Sequence, residues 1–435
     1  MIQLADSVLR SIKNDAEVYI ISSEINAVYV DGSKISNVET KTDRGMSVRI
    51  ADNNKLGKAS VTLGDSGPED CVKMALQASR YSPPNNDFKG FAHPSKKTLT
   101  PKGIIDKRIE NIEPEELMEI VSGIVDACET DIPRGLLRVS TIESAVVNSN
   151  GVSAEHKSTM LYGHFTSMMK LKHPGEGIET LFGTSLDIDP VAIGEALCKG
   201  AKAAASAVPF KGRKELTMIL PPSELGDMLM SSAGYALNGE NVRYGRSLWK
   251  DDLGKEVSSK NLTLTDDPMT SGPLCSSFDD EGTPSSKKAV VENGILKGFL
   301  NDSFAGNSTG NGMRRSSVES QGIYENPTST KPMNLVIKKG NRTRQQIIEE
   351  TDSGILIEKF AWPEADGLTG RFGLEVRSGH LIENGEIVRT INNALMMGNM
   401  ISALKNVELI GSDIQNRGCV TVPTVSFAGT ELIGN

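Results

Sequence analysis

At 435 residues the chain is long enough for two or three domains of ordinary size. Hydrophobic residues at 38% supply a packed core, and charged residues at 24% place the chain among soluble globular proteins. A net charge of −9 and a pI near 5.3 argue against a broad basic face for nucleic acid, and no apolar run approaches the roughly 18 residues of a membrane span.

The first element is a helix with Leu4, Val8, Leu9 and Ile12 on one face. The period then changes to short β-branched runs, EVYIISSE, AVYVDGSKISNVE and GMSVRIAD. Asp31-Gly32, Asp43-Arg44-Gly45 and Asp52-Asn53-Asn54 read as hairpin turns between them. A second helix follows Pro68 and stops at Pro83-Pro84. The polar, proline-rich stretch over 84–104 reads as a linker. The plan then repeats. Pro114 opens a helix with Leu117, Ile120, Val121, Ile124 and Val125 on one face. Two strand-like runs follow, with a turn at Asn150-Gly151, and Asp189-Pro190 starts another helix. The sequence therefore predicts an α+β protein with a duplicated helix, β-meander, helix unit, the first over 1–98 and the second over 99–210.

From residue 211 the pattern becomes β-rich, and the 211–435 domain is expected to be built on strongly curved sheet. KELTMIL reads as a strand, and Pro221-Pro222-Ser223 starts a helix over 223–237. RTRQQIIEET and NNALMMGNMISALKNV read as two further short helices.

Familiar catalytic sets are missing. His93, His156, His164, His173 and His380 never pair at helical ligand spacing, so no zinc set of three nitrogen or sulfur ligands is evident. There is no GxSxG elbow and no SxxK tetrad. The glycine-rich stretch from Gly306 to Gly312 lacks the GK[ST] ending of a P-loop. It is either a flexible loop or a place where backbone approaches backbone. Asp279, Asp280 and Glu281 stand before Gly282 and read as turn-capping acids rather than a general acid-base pair. Five cysteines without framework spacing, Cys71, Cys128, Cys198, Cys275 and Cys419, fit a reducing compartment. Asp6, Arg10 and Lys13 interrupt the apolar residues of the N-terminus, which is not a signal peptide, so a cytoplasmic location is expected.

Three segments, FDDEGTPSSKKAVVENGILKGFLND (278–302), GLTGRFGLEVRSGHLIENGEI (367–387) and LKNVELIGSD (404–413), occur in an order and at distances that resemble the TldD/PmbA family of cytosolic peptidases. The likeness extends over nearly the whole chain. One kind of subunit in that family carries a zinc-binding H-E-x-x-x-H helix, a G-L-E-G-D turn and a cysteine near the C-terminus; the PmbA (TldE-like) kind lacks the metal set. With Leu237-Asn238-Gly239-Glu240 placed on the turn, the two histidine positions fall on Met230 and Tyr235 and the glutamate position on Ser231. Methionine is a weak zinc ligand, and serine cannot take a proton from a metal-bound water as a carboxylate does. Cys419 lies about two positions from the family's cysteine, and Arg417 stands nearer that position.

The resemblance thus implies a PmbA-type subunit with no catalytic residues and no metal of its own. Residues five apart do not share a face of a regular helix, so this helix is expected to be distorted, with Gly234 the permissive point. Zinc is expected in a TldD-like partner of a heterodimer; the alternative is a homodimer that holds peptides without cleaving them. No direct nucleic-acid or membrane contact is expected. Free strand edges in such a domain suit an extended peptide. Asn238, Gly239, Arg243, Arg246, Arg314 and Arg315 are candidate contacts to peptide or partner, the arginines either holding carboxylates or forming a solvated basic rim.

Overall fold

The computed structural model describes residues 1–64, 67–95, 100–171, 173–270, 272–306, 313–314 and 329–434, with 313, 314 and 329 by backbone alone. The N-terminal half runs α1 (Ile2–Ser11), β1 (Asp15–Asp31), β2 (Lys34–Asp52), β3 (Lys55–Thr62), α2 (Pro68–Tyr81), then α3 (Lys107–Glu110), α4 (Pro114–Ala127), β4 (Asp131–Asn148), β5 (Ser153–Lys170), β6 (Pro174–Gly183) and α5 (Pro190–Ser206). The helix–meander–helix plan is thus present twice. The two meanders join into one antiparallel sheet, ordered β3-β2-β1-β4-β5-β6. The joint is the β1–β4 ladder, which runs without a register shift from Glu17↔Asn148 to Asp31↔Arg134.

Local chemistry accounts for most of these boundaries. Asn53 and Asn54 both take positive φ (50° and 61°), the primed-turn conformation that suits a two-residue hairpin. Pro68, Pro114 and Pro190 stand at helix starts, and Asp189 caps α5 by accepting from Val191 N and Ala192 N. The sequence reading fails at Asp43-Arg44-Gly45, which is no turn. These residues lie within β2, paired with Ser23, Ser22 and Ile21 of β1. Gly45 also pairs with Thr62, so it marks where the third strand joins. Pairing on the sheet overrides the local turn preference.

The C-terminal half is built on a barrel. Pairing passes from Ser353–Phe360 to Gly212–Leu220, Val425–Gly434, Ala394–Asn399 and Arg371–Glu383, and returns to Ser353–Phe360. This closed ring of five strands is the limit of the expected curvature. Its interior holds Met218, Ile355, Phe360, Val376, Met396, Phe427 and Leu432, all buried. Ala394–Asn399 is a strand, although NNALMMGNMISALKNV reads as one helix; helix begins only at Met400, capped by Asn399. A second sheet of short strands packs on the same core: Ile295–Leu296, Lys288–Glu292, Leu264–Asp266, Leu335–Ile337, Val420–Val422 and Gln415–Asn416. Among the described residues no helix is long and apolar enough to cross a membrane.

A buried ion network fastens the halves together. Arg49 on β2 donates to Glu17 of β1 through Nε (3.0 Å) and Nη2 (2.8 Å), and its Nη2 also lies 2.7 Å from Glu281 of the C-terminal half. Its Nη1 donates to Ser303 Oγ at 3.1 Å. Asp279 accepts from Glu281 N and Thr283 N, so the acidic run does form a turn. That turn aims Glu281 at Arg49. Burial weakens the guanidinium's hold on its proton, but Glu17 and Glu281 outweigh it, and the Arg49 pKa stands above its ordinary value. Burial pushes the Glu281 carboxyl up despite Arg49.

Removing one partner from such a network leaves buried charge uncompensated. Arg49→Met is expected to cost about 3–5 kcal/mol of stability. The loss should grow with pH. Glu281, already pushed up by burial, loses in the variant the cation that pulls it down, so it holds its proton more tightly folded than unfolded and stability falls as pH rises through its folded pKa. Urea unfolding of both proteins at pH 5.5 and pH 8 checks the size and the sign.

Candidate functional site

The strand Gly212–Leu220 leads through Pro221 into a helix that starts at Pro222 and runs α-helical to Leu229. Leu225, Met228, Leu229, Ala233, Ala236 and Leu237 anchor it in the barrel core. Its next turn, Met230–Gly234, is π-helical, and Tyr235–Leu237 returns to α. Tyr235 N donates to Met230 O, five residues back, so the wider turn brings these two positions into line. Gly234 permits it: a Cβ there would lie 2.9 Å from Met230 Cε.

Each of the three motif positions is occupied with packing. Met230 lies over Gly234. Ser231 Oγ donates to Met228 O at 3.2 Å and accepts from Ala365 N at 3.0 Å. The Tyr235 ring covers Gly367, where a Cβ would come within 2.7 Å of it. Cys419 is half-buried against the core, and its carbonyl accepts from Leu335 N at 2.8 Å. These three positions therefore present a thioether, a hydroxyl already bonded to backbone and a phenol. Among the described residues no three histidine, cysteine, aspartate or glutamate side chains converge as a metal site.

Of the other predicted contacts, Asn238, Gly239 and Arg243 make contacts inside the chain. Asn238 caps the short helix Gly239–Arg243, accepting from Glu240 N and Asn241 N, and it donates to Thr330 O at 2.9 Å. Gly239 is required by a close approach: a Cβ would lie 2.7 Å from Leu300 O. Arg243 reaches the N-terminal half, donating to Asp87 (2.8 Å) and Asn85 (2.8 Å), and stacks over the Phe304 ring at 5.0 Å. Arg246 is exposed and lies over the Tyr244 ring at 5.1 Å. The backbone of Arg314 pairs with Ser329. Arg315 lies outside the described residues, as does the stretch from 307 to 312.

Sequence reasoning missed the cleft that this helix borders. It holds about 590 Å³ between β6 and the C-terminal half, lined by Ile178–Gly183 on one side and by Glu224, Arg344, Glu358, Lys359 and Arg417 on the other. Glu224, fully buried in the helix's first turn, pairs with Lys359 at 3.1 Å and accepts from Phe360 N at 2.9 Å. Burial still pushes its carboxyl up, against the pull of Lys359. Arg344 pairs with Glu358 at 2.8 Å. Burial likewise raises the Glu179 carboxyl, and burial followed by Lys359 lowers His164. Arg417 donates to Thr180 O at 2.7 Å and lies 5.0 Å over the Phe182 ring. These residues come from five separate helices and strands and a loop. No short sequence motif could announce them.

Comparison with known proteins agrees with this architecture. Residues 213–434 match the PmbA/TldA metallopeptidase C-terminal domain, and residues 16–79 match PmbA/TldA metallopeptidase domain 1. An uncharacterised protein of Methanocaldococcus jannaschii is 27% identical over 428 residues, 95% of each chain. A metalloprotease PmbA homolog of Buchnera aphidicola is 25% identical over 98% of this chain and 94% of its own. The crystal structure of TldE from Thermococcus kodakarensis shares the fold, with a TM-score of 0.84 at 21% identity over 99% of both chains.

The Tyr235–Gly367 contact can be probed directly. Gly367→Ala should destabilise the protein by about 1–3 kcal/mol, as overpacking does. Combining it with Tyr235→Ala should recover part of that loss, because the clash then has no second partner. Chemical unfolding of the two single variants and the double variant measures this coupling.

Proposed function

Because the chain belongs to the PmbA/TldD metallopeptidase family, we propose that it is the metal-free subunit of a peptidase that takes unfolded or small peptides. Zinc and the general base are then supplied by a homologous, TldD-like partner. The observation that carries this reading is the π turn of the helix at Met230–Gly234. It retains a wide turn where the family places its ligands, yet Met230, Ser231 and Tyr235 are spent on Gly234, the Ala365 amide and Gly367. The backbone shape outlasts the chemistry. This chain's contribution is to hold substrate and close the chamber. An extended peptide can pair with a strand edge through its backbone, largely regardless of its sequence. The edge of β6 meets that need, since it ends its sheet and lines the cleft.

Association with a second chain is supported by the outer face of the barrel. Leu395 and Met397, alternate residues of Ala394–Asn399, are exposed there, apolar surface that a partner would cover. A homodimer through the same face would hold peptides without cleaving them. The five cysteines are free, which suits a reducing cytoplasm.

Elemental analysis after dialysis should find no stoichiometric zinc in the isolated chain. Met230→His, Ser231→Glu and Tyr235→His together should give only weak zinc binding, since zinc normally takes at least three protein ligands. Adding Arg417→Cys should tighten it clearly. Equal, negligible binding by two folded variants would mean that residues 230–235 are not the family's metal helix. Sedimentation at micromolar concentration should give about twice the 46.7 kDa chain mass; a monomer would refute association through the barrel.

A further inference from the structure

We propose that a second cavity, at the far edge of the six-stranded sheet, binds an ammonium ion carried on a short apolar chain. It lies at β3, the opposite end of the sheet from the β6 cleft, and it does not depend on reading this chain as a peptidase subunit.

The cavity holds about 450 Å³ between the two halves of the chain. Three consecutive residues of β3, Leu56 to Lys58, line it. Successive side chains of a strand point to opposite faces, so the cavity meets β3 at its edge. Leu56, Ala78, Pro83, Pro84 and Phe304 give it apolar walls. Asn85 clasps the halves beside it, donating to Phe304 O at 3.0 Å and accepting from Arg243 Nη2 at 2.8 Å. The space is therefore formed before any ligand arrives, as ligand cavities usually are.

Its charged lining is unevenly matched. Asp302 is buried and accepts from Ala305 N at 2.8 Å. Glu240 is half-buried, and among the described residues its carboxylate has no hydrogen-bond or ion-pair partner. The cations on the walls are already engaged. Arg49 pairs with Glu17 and Glu281, Arg243 pairs with Asp87, and Lys58 has an interaction of its own. With the partners of the two arginines counted, three cations stand among five carboxylates. Burial raises the Asp302 carboxyl and the Glu240 charge adds to the rise, against the Ala305 amide and Arg49. One more positive charge would relieve both acids.

That imbalance selects the ligand. An anion would be repelled by Glu240 and Asp302, and a neutral apolar molecule would bury them without a partner. An unbranched chain that ends in an ammonium suits both parts of the lining. Its stem lies along apolar surface while its head seeks a carboxylate, and the head carries three donors. The lysine side chain of a peptide and a free alkylamine share this chemistry.

Ligand-detected NMR titration of the full-length protein compares n-butylammonium with n-butanol, and blocked lysine with blocked norleucine. Wild type should bind n-butylammonium about tenfold more tightly than n-butanol. Glu240→Gln keeps the shape of the cavity, removes the unpaired charge and should erase most of that preference. Ala78→Leu fills the cavity from its apolar wall and should weaken both butyl compounds severalfold. The preference is a ratio within one protein, so partial loss of folded material does not mimic it. A matching preference for blocked lysine supports the cavity with a peptide as its source of ammonium. A preference confined to n-butylammonium supports it with a free amine. No preference in wild type, or one unchanged by Glu240→Gln, overturns the proposal. Binding of the butyl compounds that Ala78→Leu leaves untouched overturns the placement at β3, and the proposal with it.

Discussion

The geometry of the cleft depends on one buried guanidinium. Arg49 belongs to the first meander, yet it shares its donors between Glu17 on the neighbouring strand and Glu281 and Ser303 of the C-terminal half. Arg49 is 4% exposed and both glutamates are 0% exposed, so water does not screen the network. A charge cluster of this kind is a poor source of net stability, because desolvation consumes much of the Coulomb gain. It has another quality, which is that it tolerates one arrangement only. Apolar surfaces slide against each other at little cost, whereas a displaced buried ion pair leaves two unsatisfied charges. The network therefore sets how the six-stranded sheet lies against the barrel half, and that decides what its far edge meets.

From that joint the consequences run across the sheet. The continuous β1–β4 ladder makes both meanders one rigid layer, so a position fixed at Arg49 is transmitted to β6. There the edge meets the helix after Pro221, the Lys359 strand and the loop bearing Arg417. Arg138, Tyr162, Phe182 and Arg417 form a ladder of ring and cation contacts over this region: Arg138 to Tyr162 at 5.3 Å, Tyr162 to Phe182 at 5.5 Å, and Phe182 to Arg417 at 5.0 Å. Its last member comes from the other half of the chain. Joint and cleft lie at opposite sides of one layer, and an arginine stands at each.

What was legible in the sequence follows the range of the interactions. The duplicated unit could be read because helix faces, proline starts and Asn-Asn turns are local signals, and they were obeyed. Asp43-Gly45 and the first half of 392–407 were misread because ladder partners far along the chain decided their state, against local preference. The fused sheet and the closed barrel leave no local trace, since ring closure is a matter of which distant strands pair. The helix distortion was legible through the family resemblance, which places two ligand positions five apart, at Met230 and Tyr235; a widened turn aligns them, and the π turn is there. Asn238 and Gly239 read from the sequence as candidate contacts to peptide or partner; in the fold Asn238 caps a short helix and Gly239 lies in close approach to Leu300. Arg417 was noticed only as a neighbour of Cys419, because its partners Thr180 and Phe182 lie more than 230 positions away.

On the proposed reading, the position of Arg417 links the missing metal chemistry to the cleft. On the family resemblance it stands close to where a metal-bearing subunit places its cysteine. In such a subunit a thiolate there would help to hold a dication beside the helix. This chain puts a fixed monocation in the same region, anchored on Gly226 one turn before Met230. A guanidinium cannot polarise a water as zinc does. It can still supply positive charge and directed donors to a carbonyl or carboxylate in the cleft. On the proposed reading, in which the zinc ligands are absent, a guanidinium here would keep positive charge beside the helix without the reaction. If the chain is the metal-free subunit proposed above, this charge gives it a reason to preserve the helix, the edge and the cleft.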